Sequence, residues 1–382
     1  MRIQGRHYRT GELVEVVCAG DTIQSSGKPS GAPVDVRAGW LAPAFFDLQI
    51  NGCGGRSFAS ANLTAEDVHY VVDTCRRHGI STLLATLITS SFSTLAQGFK
   101  TLIKACESDR DLAAAIPGFH LEGPYISPED GPRGAHPRQH VRRPDWDEFC
   151  RLQDAAQGRI RLLTLAPEWD GAVFLIEQAV KSGVVVALGH TAAGRDCIRA
   201  AIAAGARLST HLGNGSHAML PRHNNYIWEQ LAADELWASV ICDGHHLPPA
   251  VMRCILRVKG AARTILTCDA SGLAGSPPGR YHLWDQEFEV QPEGKIILPG
   301  TEYLAGSWAF TDRCIGNVIR FADVALGDAI EMASARPREL LGLEQRRLEP
   351  GYPADLVLFD WQEQGDLTVR ATIAGGVIYR VS

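Results

Sequence analysis

Between residues 44 and 270 the chain repeats one texture eight times: a short apolar run, then a stretch that is mostly of helical spacing. The runs are AFFDLQI, STLLATLI, GFHLEG, RIRLLTLAP, VVVALGH, RLSTHLG, SVICDG and TILTCDA. Runs this short and apolar, bounded by polar segments, read as buried strands. Thr64–His78 reads as a helix, opened by TAED with Thr64 as N-cap and a carboxylate three residues on, and closed by Gly79. Further helices are expected over Ala172–Ser182, Arg195–Ala204 and Pro249–Lys259. Eight strand–helix units in this length favour an α/β chain of (β/α)8 barrel type over an open doubly wound sheet. No G-x-G-x-x-G follows the first strand, which lowers the dinucleotide-binding alternative.

The two ends have a different texture. Residues 1–40 are punctuated by Gly and Pro and partly alternating (LVEVVCAG, VDVRAG), and the tail repeats this in GYPADLVLFDW and ATIAGGVIYRV. Both ends are therefore expected to join in one small β-sandwich, residues 1–40 with 345–382, around a barrel spanning 41–344. The Gly/Pro-rich segment Ser276–Thr301 reads as a β insertion, followed by helices near Phe310–Phe321 and Leu326–Leu341.

Composition excludes several classes. A net charge of −6 without a basic block argues against nucleic acid as a partner. No apolar run approaches the roughly 18 to 20 residues a membrane helix needs. The N-terminal MRIQGRHYRTG lacks the apolar centre of a signal peptide. Ten cysteines without a C-x-x-C pair sit in apolar contexts, as small core residues of a cytoplasmic protein do.

The polar residues fall where a barrel carries its chemistry, at the C-terminal ends of its strands. Strand one ends in Gln49 and Asn51, strand three in His120 and Glu122, strand five at His190, strand six at His211, strand seven at Asp243 and strand eight at Asp269. Glu122, His190 and His211 form the carboxylate and two-imidazole set that catalytic zinc takes while keeping its fourth position open. Each alone could be a polar residue satisfied by a neighbour; together, on three strands, they point to a metal. Asp269 is then the candidate base for the attacking water, with a helix N-cap in DASG as its alternative. Neither a G-x-S-x-G elbow nor a Cys/His nucleophile signature occurs, so covalent catalysis ranks low.

The segments PAFFDLQINGCGG, FHLEGPYISPEDGPRGAH, LGHTAAG, THLGNG, CDGHHLPP, TCDASGLAG and LAGSWAF, in this order, resemble the N-acetylglucosamine-6-phosphate deacetylases of the amidohydrolase superfamily. The resemblance runs from about residue 40 to PADLVLFD near the C-terminus. It implies a (β/α)8 barrel with a β-sandwich from both chain ends, and one divalent metal, most often zinc, on Glu122, His190 and His211. Many amidohydrolases bind a second metal through H-x-H on the first strand. Gln49-Ile50-Asn51 stands here instead, and neutral amides are poor zinc ligands beside imidazole. Gln49 is accordingly expected beside the site, among the groups that meet substrate or water.

The same resemblance makes Asp269 the acid/base residue and His136 the group that polarises the amide carbonyl or holds a sugar hydroxyl. It puts His246 near the sugar or its phosphate, and the backbone amides of Asn214 and Gly215 in a phosphate-holding turn. Arg222 matches a phosphate-binding arginine supplied by the neighbouring subunit, which implies a homodimer. The chain departs from the family's H-L-x-N-A-M and R-E-P-G elements at Gly215, His217, His223, Asn224 and Asn225. The expected reaction is metal-dependent hydrolysis of an N-acetyl amino sugar, foremost N-acetylglucosamine 6-phosphate. An unphosphorylated or different N-acyl substrate is the alternative, and a catalytically silent scaffold a minor one.

Overall fold

The computed structural model describes residues 1–362 and 366–381. Its centre is a sheet of eight parallel strands: Phe45–Ile50, Ile80–Ile88, Gly118–Glu122, Ile160–Leu165, Val185–Leu188, Leu208–Ser209, Trp237–Ile241 and Thr264–Thr267, each paired with its sequence neighbour. Every residue of the first two strands is buried, because helices cover the outside and side chains fill the inside. A helix follows each strand; those at Ala65–Arg77, Ala172–Lys181, Arg195–Ala203 and Pro249–Lys259 agree with the sequence reading to within one residue at each end. The capping box at Thr64 is present, with Asp67 as its reciprocal partner. Among the described residues no helix is long and apolar enough to cross a membrane.

The first and last strands meet at a seam. Ile50 bridges Ala270 in parallel, and Asn51 N donates to Ala270 O at 2.9 Å. Below them the fully buried Asp47 carboxylate accepts from Gln49 N (2.9 Å), Cys268 N (2.8 Å), Thr311 Oγ1 (2.6 Å) and Thr267 Oγ1. A buried charge is tolerable only when its lone pairs are satisfied in this way, so Asp47 staples strand one to strand eight.

Both chain ends contribute to one seven-stranded sheet. Its order is Val377–Arg380, Thr368–Ala374, Leu356–Asp360, Val36–Pro43, Arg2–His7, Leu13–Ala19 and Thr22–Gly27. The sheet folds back on itself: Thr22 bridges Pro353, and Ala354 N donates to Asp21 O at 2.7 Å. It encloses its own apolar core of Ile3, Val16, Ile23, Leu41, Leu356, Leu358 and Ile373. The sandwich is thus one continuous sheet, and its central strand keeps the chain to Pro43, past the expected boundary at residue 40.

The expected β insertion is a three-stranded antiparallel sheet, Gly279–Leu283, Gln286–Val290 and Ile296–Ile297. Its tight turn places Trp284 and Asp285 at positive φ (52° and 57°), the conformation that two-residue hairpin turns require. The helix expected over Leu326–Leu341 is two helices, Leu326–Met332 and Ala335–Leu340. Pro337 has no N–H to continue the first helix, and its ring would collide with the carbonyl of Ala333.

Candidate functional site

The strand ends converge as the sequence implies. Glu122, His136, His190, His211, Asn214, Gly215, His246 and Asp269 line one cavity of about 230 Å³ at the C-terminal mouth of the barrel. Three of them, His190, His211 and Asp269, have left-handed backbone with φ of 51°, 32° and 52°. Such conformations cost on the order of 1–3 kcal/mol each and persist only where the surroundings enforce them. Here each is pinned from another segment: Ser127 N donates to His190 O, Ser239 Oγ accepts from His211 N, and Ser307 N donates to Asp269 O, all at 2.8 Å. Strand-end strain turns all three side chains toward a common centre.

At that centre stands Glu122. Its Oε1 lies 3.2 Å from His190 Nε2 and 3.1 Å from His211 Nε2, and the two imidazole nitrogens are 3.0 Å apart. His190 Nδ1 is 2.8 Å from Pro132 O, which can only accept, so Nδ1 carries the proton. In the neutral ring Nε2 then presents its lone pair to a carboxylate oxygen, an arrangement that is repulsive until a cation joins them. This donor chemistry fits a divalent metal. His136 adds a second geometric option, since donor atoms of Glu122, His136 and His190 also lie within 4.8 Å of one another. His136 Nδ1 is, however, 2.8 Å from Thr89 Oγ1, and its Nε2 is 4.0 Å from Glu122 Oε2, farther from the carboxylate than either other histidine.

Burial alone would raise the proton affinity of the Glu122 carboxyl; the influence of His190 and His211 beside it outweighs that and holds it well below the usual range. Asp269 goes the other way. Burial, then the neighbouring Glu122 charge, pushes its carboxyl well above the ordinary value, although Asn51 Nδ2 donates to its Oδ1 at 2.7 Å. Two carboxyl groups of one cavity thus have opposite tendencies. Burial lowers the proton affinity of both His136 and His211.

Two expected contacts differ in the structure. Gln49 is buried and does not line the cavity; its Nε2 donates to Glu122 Oε1 at 2.8 Å, so it orients that carboxylate from behind. Asn214 lines the cavity, but its N–H (2.9 Å) and its Nδ2 (3.2 Å) both donate to His211 O, so it closes the turn rather than offering its amide outward. Gly215 lets that turn approach His190: a Cβ there would lie 2.8 Å from His190 Nδ1, and φ is 56°. Arg222 is exposed on the following loop, outside the cavity of its own chain.

The departures from the family pattern have structural explanations in part. His217 Nε2 is 3.0 Å from Glu129 Oε2 and its Nδ1 3.0 Å from Tyr226 Oη, which ties the loop after strand six to the loop after strand three. Asn225 caps the helix Tyr226–Ala232, its Oδ1 accepting from Ile227 N and Trp228 N. His223 and Asn224 are exposed, and the structure gives them no contact with the cavity.

Sequence reasoning gave no role to several residues that complete the site. Thr89 holds His136, and Asp243 Oδ2 holds His246 Nδ1 at 2.8 Å. Trp284, Glu302 and Tyr303 reach the cavity from the insertion and the segment after it, and Trp284 Nε1 is anchored on Ser57 Oγ at 2.8 Å. Asp243 carried a signal, its place at the end of strand seven. The wall from the insertion carried none, because its position depends on a hairpin returning over the barrel mouth.

No family model matches the chain. It is 35% identical over 358 residues to N-acetylglucosamine-6-phosphate deacetylase of Bos taurus, covering 89% of this chain and 84% of that protein. It is 33% identical over 327 residues to N-acetylgalactosamine-6-phosphate deacetylase of Escherichia coli O157:H7, covering 84% and 83%. Among solved structures it is similar to a mutant N-acetyl-D-glucosamine-6-phosphate deacetylase from Mycobacterium smegmatis in complex with N-acetyl-D-glucosamine-6-phosphate. That match has a TM-score of 0.89 at 31% identity and covers 100% of this chain and 99% of the other. A barrel with these strand-end residues, an end sheet from both termini and relatives this extensive have one reading: the chain belongs to the N-acetylglucosamine-6-phosphate deacetylase family.

Proposed function

We propose that the protein is a metal-dependent amidohydrolase that converts N-acetylglucosamine 6-phosphate to acetate and the amino sugar phosphate. The observation that carries this reading is the convergence of His190 Nε2 and His211 Nε2 on Glu122 Oε1, with Asp269 in the same cavity. A divalent cation, zinc by the donor set, held by Glu122, His190 and His211 would supply Lewis acidity to the amide carbonyl and to water. Asp269, whose proton affinity is raised by burial, takes the proton of the attacking water and returns it to the departing nitrogen. His136 donates through Nε2 to the carbonyl oxygen as negative charge develops there, with Thr89 Oγ1 fixing the ring from Nδ1. His246, oriented by Asp243, meets the sugar or its phosphate.

The phosphate rests on the Gly215 side of the turn and on Arg222 of a second copy, which makes the working form a homodimer. Exposed Met219 (89%) and Trp228 (53%) flank Arg222 and supply apolar surface for that contact. Ten free cysteines suit a reducing compartment, so we assign the protein to the cytoplasm.

A second reading, an unphosphorylated N-acetylhexosamine, has one observation in its favour. Among the described residues no Lys or Arg lines the cavity, whereas Glu302 does. Acetate release from N-acetylglucosamine 6-phosphate, its galacto epimer and both unphosphorylated sugars separates the readings. Preference for a phosphorylated sugar by kcat/KM supports the first, and equal or better use of the free sugars replaces it with the second.

A further inference from the structure

Gln49 and Asn51 stand two residues apart at the end of strand one, and each donates through its amide nitrogen to a different cavity carboxylate. Gln49 engages Glu122 and Asn51 engages Asp269. Asn51 faces Asp269 Oδ1 with its Nδ2 at 2.7 Å, which turns its own Oδ1 away. That Oδ1 is buried without a hydrogen-bond partner, so the side chain leaves one polar atom unsatisfied while keeping the contact with Asp269. The backbone repeats the connection across the barrel seam, since Asn51 N donates to Ala270 O at 2.9 Å.

We propose that Asn51 is a positioning residue for Asp269. By occupying Oδ1 it leaves Oδ2 as the atom that takes the proton from water and carries it to the leaving nitrogen. It also fixes the carboxyl plane at a backbone position that is itself strained, with φ of 52°. This rests on the reading of Asp269 as the base, and its experiment separates the two ideas.

The test is a double-mutant cycle with N-acetylglucosamine 6-phosphate, following acetate release, metal content and thermal midpoint. Asn51→Leu removes the donor at similar volume, and Asn51→Ala removes it together with the rest of the amide. Either variant that folds is expected to keep metal and KM within about twofold while kcat falls about 10- to 100-fold, a fraction of what a whole acid/base group contributes. In an Asp269→Asn background the same substitution should have no further effect, because Asn51 acts only through that carboxyl. A kcat within twofold of the parent in both variants, or a loss that multiplies in the Asp269→Asn background, overturns the proposal. If Asp269→Asn alone turns over normally, the base reading fails first and the positioning role falls with it.

Discussion

His190 Nε2 and His211 Nε2 stand 3.0 Å apart, and both face the same oxygen of Glu122. Three possible ligand atoms this close together suit a divalent cation. Protein purified without chelator should therefore contain about one divalent ion per chain. His190→Ala and His211→Ala should lose it, and His136→Ala should keep it while kcat falls. Elemental analysis of the three variants decides between the His211 and His136 ligand sets, since His190 belongs to both: metal kept by His211→Ala and lost by His136→Ala would reverse them.

Asp269→Asn should retain the metal, because the Asp269 carboxyl makes no hydrogen bond to Glu122, His190 or His211. Its turnover should fall by about 10²- to 10⁴-fold, the range of a general acid–base group. Steady-state kinetics beside metal content give the answer, and near-normal kcat would remove Asp269 from the mechanism.

The phosphate contacts are checked by substrate rather than by stability. Arg222→Ala should raise KM for phosphorylated sugars and leave that of unphosphorylated ones unchanged, as an arginine fork on a dianion requires. Sedimentation of the parent should give a dimer. An unchanged KM on the phosphorylated substrate would take Arg222 out of the site.

Asp243 provides a pH signature. Burial would raise its carboxyl, but attraction and hydrogen bonds from His246, with backbone N–H donors at His245 and His246, outweigh it and leave the group well below its ordinary value. A carboxyl depressed in the folded state contributes stability that is complete above its unfolded pKa of about 4 and lost as pH falls toward the folded value. The thermal midpoint of the parent should thus drop below about pH 4. Asp243→Asn should be less stable near neutrality and show a flatter acid limb; parallel midpoint curves for the two proteins would contradict this.

At the seam, Asp47→Ala would leave four buried donors without their acceptor. The expected cost is about 3 to 5 kcal/mol, read as a lowered denaturation midpoint. A loss under about 1 kcal/mol would mean that the barrel closes without this staple.

Much of this was legible before any coordinates. Glu122, His190, His211 and Asp269 announced themselves as polar residues at the ends of apolar runs, because a barrel turns periodicity directly into position. What those residues touch was not legible. Gln49 reads as a group beside the substrate, yet its partner is Glu122, 73 positions away, and only closure of the barrel brings them together. Asn225 reads as a departure at the phosphate site, yet it is a helix cap, a role its residue type already favoured. The split at Pro337 was present in the sequence as a missing donor, and the helical spacing of the surrounding apolar residues masked it.

The end sheet also sets a schedule for synthesis. Strand Val36–Pro43 pairs with Leu356–Asp360 through contacts such as Leu41 with Leu358, so its partner is translated more than 300 residues later. At about 5 to 20 residues per second that interval is roughly 15 to 60 s. For that time the N-terminal strands, with Leu41 and Val36 among them, are an unfinished apolar edge on the ribosome.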